Sequence, residues 1–312
     1  MSGTDLREVG RDCCNGTMNF EERALVFPCA DSWLYGVLTL PAQSSSRGVL
    51  VLVGGPQYRA GSHRQFTLLA RQLGAHGVPV FRFDYRGMGD SEGDARTFEN
   101  VGDDLRCAID KFLSEAPFLN ELVILGLCDA ASAALFYAYK DQRVTGLVLL
   151  NPWVRTDGGA ARVYLRHYYI ERLFQRELWR KIWNGNFDYA AAANSLFSLI
   201  GQTLARRKRI ESIADNAALD RAADRCDNLV ALPERMLYGL DRFKGKVLLI
   251  LSGNDFTAQE FSDVVRGSGE WQKLLADPHV SRLDLPDANH TFSRREWRNQ
   301  VAACTANWIY SW

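Results

Sequence analysis

The sequence predicts an α/β protein built on an eight-stranded, mostly parallel sheet with helices on both faces. Two observations lead to this fold class. Short apolar runs alternate along the chain with segments of helical spacing. The runs are apolar at every position rather than at every second one, which is typical of strands buried on both faces of a parallel sheet. The alternation stops at residues 155–232, where aromatic-rich helical stretches carry no strand signal, and then resumes.

The predicted elements follow in chain order. Two apolar runs separated by a short polar turn begin the fold as an antiparallel hairpin. The strands are expected at 24–29, 33–40, 49–53, 78–83, 122–125, 144–150, 247–251 and 280–285. The helices are expected at 65–76, 97–113, 130–139, 258–275 with a break at Gly267-Ser268-Gly269, and 294–308. The first of these helices stops at Gly77, a residue that often ends helices.

The same pattern divides the chain into three parts. Residues 1–19 are polar, lack periodicity and are expected to form a loose tail, in which residues 1–17 precede Met18 as an extension. Residues 20–152 and 236–312 form the predicted α/β core. Residues 153–235 form a predicted helical cap, inserted after the sixth strand.

Composition limits the classes of protein that this chain can belong to. Its 312 residues are 47% hydrophobic and 24% charged, which is typical of a globular protein. The 37 basic residues balance the 37 acidic ones, so the total charge gives no reason to expect a nucleic-acid partner. No apolar run approaches the ~18 residues of a membrane span.

Residues 155–210 carry a local excess of positive charge, because they hold eleven Arg or Lys against four Asp or Glu. This basic excess is either a set of solvated helix faces or a surface that attracts an anionic substrate, a carrier or, peripherally, an acidic membrane.

The cysteines indicate a reducing compartment. There are seven, an odd number at irregular spacing, and no apolar segment resembling a signal peptide opens the chain. We therefore expect free thiols and a cytoplasmic protein. Cys13 and Cys14 have no nearby Cys or His to complete a metal site, so neither a metal nor another cofactor is expected.

Cys128 is the candidate nucleophile. The run Gly126-Leu127-Cys128-Asp129-Ala130 leads from the fifth predicted strand directly into a helix. A side chain on such a tight turn projects from the sheet edge at a helix N-terminus, where the helix dipole stabilises an anion. The local sequence is equally compatible with a buried, unreactive thiol.

Asp255 and His290 are the candidate acid and base. Each follows one of the last two predicted strands, within Ser252-Gly253-Asn254-Asp255 and Pro286-Asp287-Ala288-Asn289-His290 respectively. Ligands of parallel sheets bind beyond the carboxyl ends of the strands, and the chain order nucleophile, acid, base is that of a catalytic triad. The sixth strand ends at Asn151, which has no carboxylate to serve as the acid.

The predicted oxyanion hole uses two backbone N–H groups. One is the N–H of Asp129, directly after the nucleophile, and the other comes from the loop Gly54-Gly55-Pro56 after the third strand. Proline has no N–H, so Gly55 is the first choice and Gln57 the second, although the loop could also be a plain glycine turn. A Gly-x-Ser-x-Gly match around Ser91 lies too far beyond its strand, with no helix after it, to be the nucleophile turn.

These motifs resemble the α/β-hydrolase superfamily from about residue 24 to the C-terminus. Val53-Gly54-Gly55-Pro56 resembles the oxyanion loop of that superfamily, and the segment 84–91 resembles its structural Asp-x-Arg-Gly-x-Gly-x-Ser loop. The segments 54–66 and 126–133 are similar to hydrolases associated with the exosortase A system, which are encoded near bacterial exopolysaccharide and protein-sorting genes. Two departures stand out, because Cys128 replaces the usual Ser and Ala130 the second glycine of the motif.

The resemblance implies an α/β-hydrolase fold and a Cys–His–Asp triad like that of dienelactone hydrolases. The expected activity is hydrolysis of an ester, thioester or lactone, on a small or carrier-bound acyl substrate, through a covalent acyl-enzyme. Its setting would be exopolysaccharide- or exosortase-linked metabolism. Two alternatives stay open at this point: an acyltransferase that uses the same thioester, and a non-catalytic binding protein that has kept the fold.

Overall fold

The structure, a computed structural model, describes residues 20–55, 57–154 and 231–312. The predicted tail and most of the predicted cap lie outside these residues. The described chain contains eight strands. They are β1 (Phe20–Cys29), β2 (Ser32–Pro41), β3 (Arg47–Leu52), β4 (Val80–Phe83), β5 (Glu121–Leu127), β6 (Val144–Leu150), β7 (Lys246–Asn254) and β8 (Val280–Asn289).

All eight strands form one sheet, in the order β1-β2-β4-β3-β5-β6-β7-β8. The hairpin strand β2 pairs antiparallel with both β1 and β4, and every other neighbouring pair is parallel. The predicted fold class, an eight-stranded and mostly parallel sheet with helices, is therefore confirmed.

Helices cover both faces of the sheet. They are α1 (Gln65–Ala75), α2 (Gly102–Glu115), α3 (Asp129–Ala138), α4 (Leu232–Arg242), α5 (Phe256–Gly267), α6 (Gly269–Leu275) and α7 (Arg295–Ile309). Helices α1 and α7 pack on one face and the other five on the opposite face. Strand β3 is apolar on both of its faces. Val49 and Val51 pack in the core on the side of α1 and α7, and Leu50 and Leu52 pack in the core on the opposite side. Successive side chains of a strand point to opposite faces, so a strand buried on both sides must be apolar throughout.

Several elements differ in extent from the prediction. The expected helix at 97–113 begins with a short 3₁₀ turn, Phe98–Asn100, before α2 starts at Gly102. The expected break in 258–275 is present, because Ser268 separates α5 from α6. Helix α4 crosses residue 235, the predicted end of the cap, and buries Met236 and Leu240 in the core beside α3.

The strands β5, β7 and β8 continue beyond their predicted C-terminal ends, and this changes where the candidate site residues lie. β5 continues to Leu127, β7 to Asn254 and β8 to Asn289. The last two extend because their pairing continues to Asn254 and Asn289 beyond a register shift after Ser252. Segments predicted as loops are thus still strand, and Cys128, Asp255 and His290 each come directly after a strand end.

None of the helices in the described ranges is long and apolar enough to cross a membrane.

Candidate active site

Cys128 lies on a strained turn between β5 and α3. Its backbone has φ 63° and ψ −124°, a left-handed φ that non-glycine residues rarely adopt. Three backbone hydrogen bonds hold the turn. The Cys128 N–H donates to Leu150 O at 2.9 Å, and the Cys128 carbonyl accepts from Ala131 N at 3.1 Å and from Trp153 N at 3.2 Å. A Cβ at Gly126 would lie 2.6 Å from the Ala130 backbone, so only glycine fits where the helix crosses the strand end. This is the strand-to-helix geometry predicted for the nucleophile.

Asp255 orients His290. The His290 Nδ1 lies 2.8 Å from Asp255 Oδ2. Asp255 is itself fixed, because it is the N-cap of α5 and its carboxylate accepts hydrogen bonds from the N–H groups of Thr257 and Ala258 at 3.1 and 3.2 Å. It is only 7% exposed, so water competes little for these bonds. The Asp255 hydrogen bond occupies Nδ1, which leaves Nε2 for the reacting groups.

His290 also interacts with Cys128. Burial lowers the pKa of His290, but hydrogen bonds and charge interactions with Asp255 and Cys128 outweigh burial and raise the pKa to about 10. The carboxylate of Asp255 beside Nδ1 stabilises the imidazolium. The structure therefore brings together the three side chains that the sequence selected as nucleophile, acid and base.

Asn151 is a further residue of the site, which sequence reasoning considered only as a missing acid. It is fully buried, follows β6 and adopts φ 44°. Its Nδ2 donates to Ser252 Oγ at 2.9 Å and to the His290 carbonyl at 3.0 Å, and its Oδ1 accepts from Ser252 N at 2.8 Å. Asn151 thus ties the end of β7 to the segment that carries His290. Its place at a strand end between those of Cys128 and Asp255 was the signal available in the sequence.

The first and second choices for the oxyanion donor in the glycine loop, the N–H groups of Gly55 and Gln57, both donate hydrogen bonds within the protein. The Gly55 N–H donates to Asp129 Oδ2 at 2.9 Å, and the Gln57 N–H donates to Gly55 O at 2.9 Å. Gly55 has φ 61°, a conformation that favours glycine. The glycine loop lies against the first turn of α3, where it contacts the Asp129 side chain.

Ser91 has a structural role in the described chain. Its Oγ donates to Asp84 O at 2.6 Å and accepts from Tyr35 N at 3.0 Å, and the residue is 9% exposed. Asp84 in turn accepts from Arg59 N at 2.5 Å and pairs with the Arg59 guanidinium. These bonds anchor the chain just beyond the glycine loop, and they use the hydroxyl in the Gly-x-Ser-x-Gly match.

The other described thiols lie in different surroundings. Burial raises the pKa of Cys29 to about 12, with further contributions from a hydrogen bond to Cys107 and from the charge of Asp104. Burial also raises the pKa of Cys304. No group of three or more His, Cys, Asp and Glu side chains that could hold a metal ion occurs among the described residues. Cys13, Cys14 and Cys226 lie outside them.

The comparisons with known proteins agree with this fold. Residues 49–303 match the model of the alpha/beta hydrolase family. An esterase from Pyrococcus furiosus is 15% identical over 97% of each chain, with a TM-score of 0.61. A dienelactone hydrolase from Anabaena variabilis is 14% identical over 94% of this chain and 99% of its own, with a TM-score of 0.58. The esterase Est1E from Butyrivibrio proteoclasticus, solved with ferulic acid, is 15% identical over 92% and 98%, with a TM-score of 0.57.

The match to the family model covers most of the chain, so the protein belongs to the alpha/beta hydrolase family and is a hydrolase. None of the curated proteins compared with it matches its sequence.

Proposed function

We propose that the protein cleaves an acyl bond of an ester, thioester or lactone, with Cys128 as nucleophile, His290 as general base and acid, and Asp255 as the residue that orients His290. One observation carries the proposal. His290 is bonded to Asp255 at 2.8 Å on one nitrogen and interacts with Cys128, which occupies a strained turn at the N-terminus of α3. Nucleophile, base and orienting group are the three parts that covalent acyl chemistry requires.

The first half of the proposed reaction forms a thioester. The Cys128 Sγ, as thiolate, donates an electron pair to the acyl carbon, and the carbonyl π electrons move to oxygen. The tetrahedral intermediate collapses, the bond to the leaving group breaks, and the proton on His290 Nε2 goes to that group. The second half repeats these steps with water: His290 accepts the proton of water, hydroxide adds to the thioester, and the C–S bond breaks to release the acid and the thiolate.

Two arrangements support this sequence of proton transfers. Asp255 accepts from Nδ1 and stabilises the imidazolium that must be present when the leaving group departs. The N–H groups of Asp129 and Gly55 are our proposed donors to the oxyanion, because both border the turn between β5 and α3 that carries Cys128, which we call the nucleophile elbow. One hydrogen-bond donor of an oxyanion hole contributes roughly a 10²–10³-fold increase in kcat in other acyl-transfer enzymes.

The motifs and the names of proteins with a similar fold support the proposed substrate class. The relatives described above include esterases and a dienelactone hydrolase, whose names refer to acyl-bond cleavage. The motifs at 54–66 and 126–133 resemble exosortase A-associated hydrolases, so the proposed setting is exopolysaccharide- or exosortase-linked metabolism. The proposed substrate is a small or carrier-bound acyl compound.

A trapped intermediate tests the proposal. The protein is mixed with a panel of nitrophenyl esters, acyl thioesters and lactones. The reaction is quenched in acid during the pre-steady-state burst, when an acyl-enzyme accumulates, and the masses of the peptides are measured. We expect an acyl adduct on the Cys128 peptide, and no adduct or turnover in Cys128→Ala. Ser91→Ala is the matched control and should stay within about threefold of the parent, or ~0.7 kcal/mol in barrier height.

The same experiment separates the alternatives. An adduct that forms but passes to an added alcohol or amine faster than to water would make the protein an acyltransferase. Failure to turn over or bind covalently any member of the panel would favour a binding protein. A Ser91→Ala variant as inactive as Cys128→Ala would contradict the choice of nucleophile.

A further inference from the structure

The Asp129 side chain lies where the oxyanion is expected. Its Oδ2 accepts from the Gly55 N–H at 2.9 Å. The carboxylate also interacts with the N–H groups of Ala130 and of Asp129 itself, at the first turn of α3. The residue next to the nucleophile thus presents its own anion to the same N–H groups that would bind an acyl oxyanion.

The second carboxylate oxygen has no partner. Asp129 is 8% exposed, and its buried Oδ1 has no hydrogen-bond partner in the structure. Oδ1 lies against Gly54, where any Cβ would collide with it. An unpaired buried polar atom is unfavourable, so only the hydrogen bonds made by Oδ2 hold the side chain in this rotamer.

The surroundings do not favour a permanent negative charge at this position. Burial raises the pKa of the Asp129 carboxyl, and this outweighs the N–H groups of Gly55, Ala130 and Asp129 and the charge of His290, all of which lower it. Tyr85 lies close enough to interact with the same carboxylate. The side chain is therefore bound on one oxygen and poorly accommodated on the other, which makes it a ligand that a better acceptor can replace.

We propose that the Asp129 carboxylate is a resident occupant of the oxyanion site, with which the acyl oxygen of the substrate competes for the Gly55 N–H. This inference rests on the proposed function. When the side chain rotates away, the N–H groups of Gly55 and Asp129 become free to bind the oxyanion. The cost of that rotation falls on the step that forms the tetrahedral intermediate, since the ground-state carbonyl carries little charge. Removing the carboxylate should accordingly raise kcat and leave KM nearly unchanged.

Two substitutions separate the charge from the hydrogen bond. Asp129→Ala removes the occupant, whereas Asp129→Asn keeps an oxygen that can accept from Gly55 but removes the charge. With a nitrophenyl ester as the probe, we expect kcat to rise by about tenfold in Asp129→Ala, within the ~10²–10³ that one oxyanion donor contributes. Asp129→Asn should give a smaller rise. A trifluoromethyl ketone, whose thiohemiketal carries an oxyanion, should bind more tightly in the same order.

Alkylation by iodoacetamide is the control, because it consumes the thiolate without forming an oxyanion. At the plateau of its pH profile, the alkylation rate of Cys128 should be the same in the parent and both variants, and each variant should show the thermal unfolding of a folded protein. If kcat and ketone affinity stay unchanged or fall in both variants, Asp129 supports the loop instead, and the inference is wrong. If alkylation of Cys128 leaves the parent active, the proposed function itself fails, which is a separate result.

Discussion

At the scale of single residues, Cys128 differs from the other described thiols in its surroundings. It lies at a helix N-terminus and interacts with His290, whereas burial raises the pKa of Cys29 and Cys304. Thiolate character and access together determine the rate of alkylation. We expect limiting iodoacetamide at about pH 6.5 to label Cys128 first and to remove activity in step with labelling. Peptide mass mapping measures the order of labelling.

His290→Ala provides the control for this labelling. Without the interaction with His290, labelling of Cys128 at about pH 6.5 should slow while the protein stays folded. Cys128→Ser should fold normally and lose most activity, because a hydroxyl requires stronger activation than a thiol. Labelling of another cysteine first, with activity retained, would rule out the thiolate mechanism.

The raised pKa of His290 predicts how stability depends on pH. The pKa rises from its ordinary 6.5 to about 10 in the folded protein, so folding favours the protonated ring. This stabilisation is complete below pH 6.5, declines between 6.5 and about 10, and is absent above that. Between pH 6.5 and 10, the urea concentration at the unfolding midpoint should therefore fall by more for the parent than for His290→Gln. Parallel curves for the two proteins would show that the His290 pairing does not stabilise the fold.

The sequence allows candidate site residues to be selected by type and position, but it does not show where their side chains point. Cys128, Asp255 and His290 could be selected because a nucleophile, an acid and a base each stand at the end of a strand, in the order of a triad. The Asp129 carboxylate was missed because only its N–H was considered. Which N–H a short acidic side chain bonds depends on its rotamer and on the neighbouring loop, and neither is visible in the sequence.

At the scale of elements, the elbow depends on the close approach of β5 and α3. A Cβ at Gly126 would lie 2.6 Å from backbone atoms of Ala130, which cannot move without shifting the helix. Gly126→Ala should destabilise the protein by about 1–3 kcal/mol, as overpacking usually does, and should lower kcat by displacing Cys128. Gly267→Ala at the end of α5 is the control, because a Cβ there meets nothing within 4 Å. Urea denaturation of both variants measures the difference, and equal midpoints would contradict the expected crowding.

Asn151 connects three elements and should matter for catalysis as well as stability. Asn151→Ala leaves the buried Ser252 N–H and the His290 carbonyl without their partner, which should cost about 1–3 kcal/mol. A small displacement of His290 should lower kcat by roughly tenfold or more, with KM little changed. Steady-state kinetics and urea denaturation measure the two effects.

Ser252→Ala is the control for Asn151. It removes only the hydroxyl contacts and keeps the backbone N–H that donates to Asn151 Oδ1. We expect its kcat to fall less than that of Asn151→Ala. If Asn151→Ala has the kcat of the parent, Asn151 does not position His290.

The core strands of the sheet could be read from apolar runs, but their ends could not. β7 and β8 continue past Ser252 and Leu285 because their pairing resumes after a register shift. The extension carries polar residues and Pro286, which in the sequence are typical of a loop. Pairing between strands compensates for these residues, and a single sequence does not show which strand is the neighbour.

At the scale of the whole molecule, strand order explains how residues far apart in the chain form one site. β5, β6, β7 and β8 are consecutive neighbours in the sheet, and their carboxyl ends carry Cys128, Asn151, Asp255 and His290 in that order. Parallel strands end at the same edge, so the alternation of strands and helices predicted that Cys128, Asp255 and His290 lie together, whereas Asn151 was not predicted to join them. The two apolar cores on either face hold this edge in place.

Charge along the whole chain leads to a prediction about substrates. Residues 155–210, which lie outside the described structure, carry an excess of seven positive charges, and the neutral total requires an equal negative excess elsewhere. If this segment attracts an anionic acyl substrate, kcat/KM should fall as salt rises past ~0.15 M, where charges are screened beyond roughly 8 Å. The control is a neutral ester with the same leaving group, whose kcat/KM should change little. Neutralising Arg206, Arg207, Lys208 and Arg209 together to Gln should remove much of the difference between the two substrates. Equal salt dependence for both esters in the parent would mean that the basic segment is only a solvated surface.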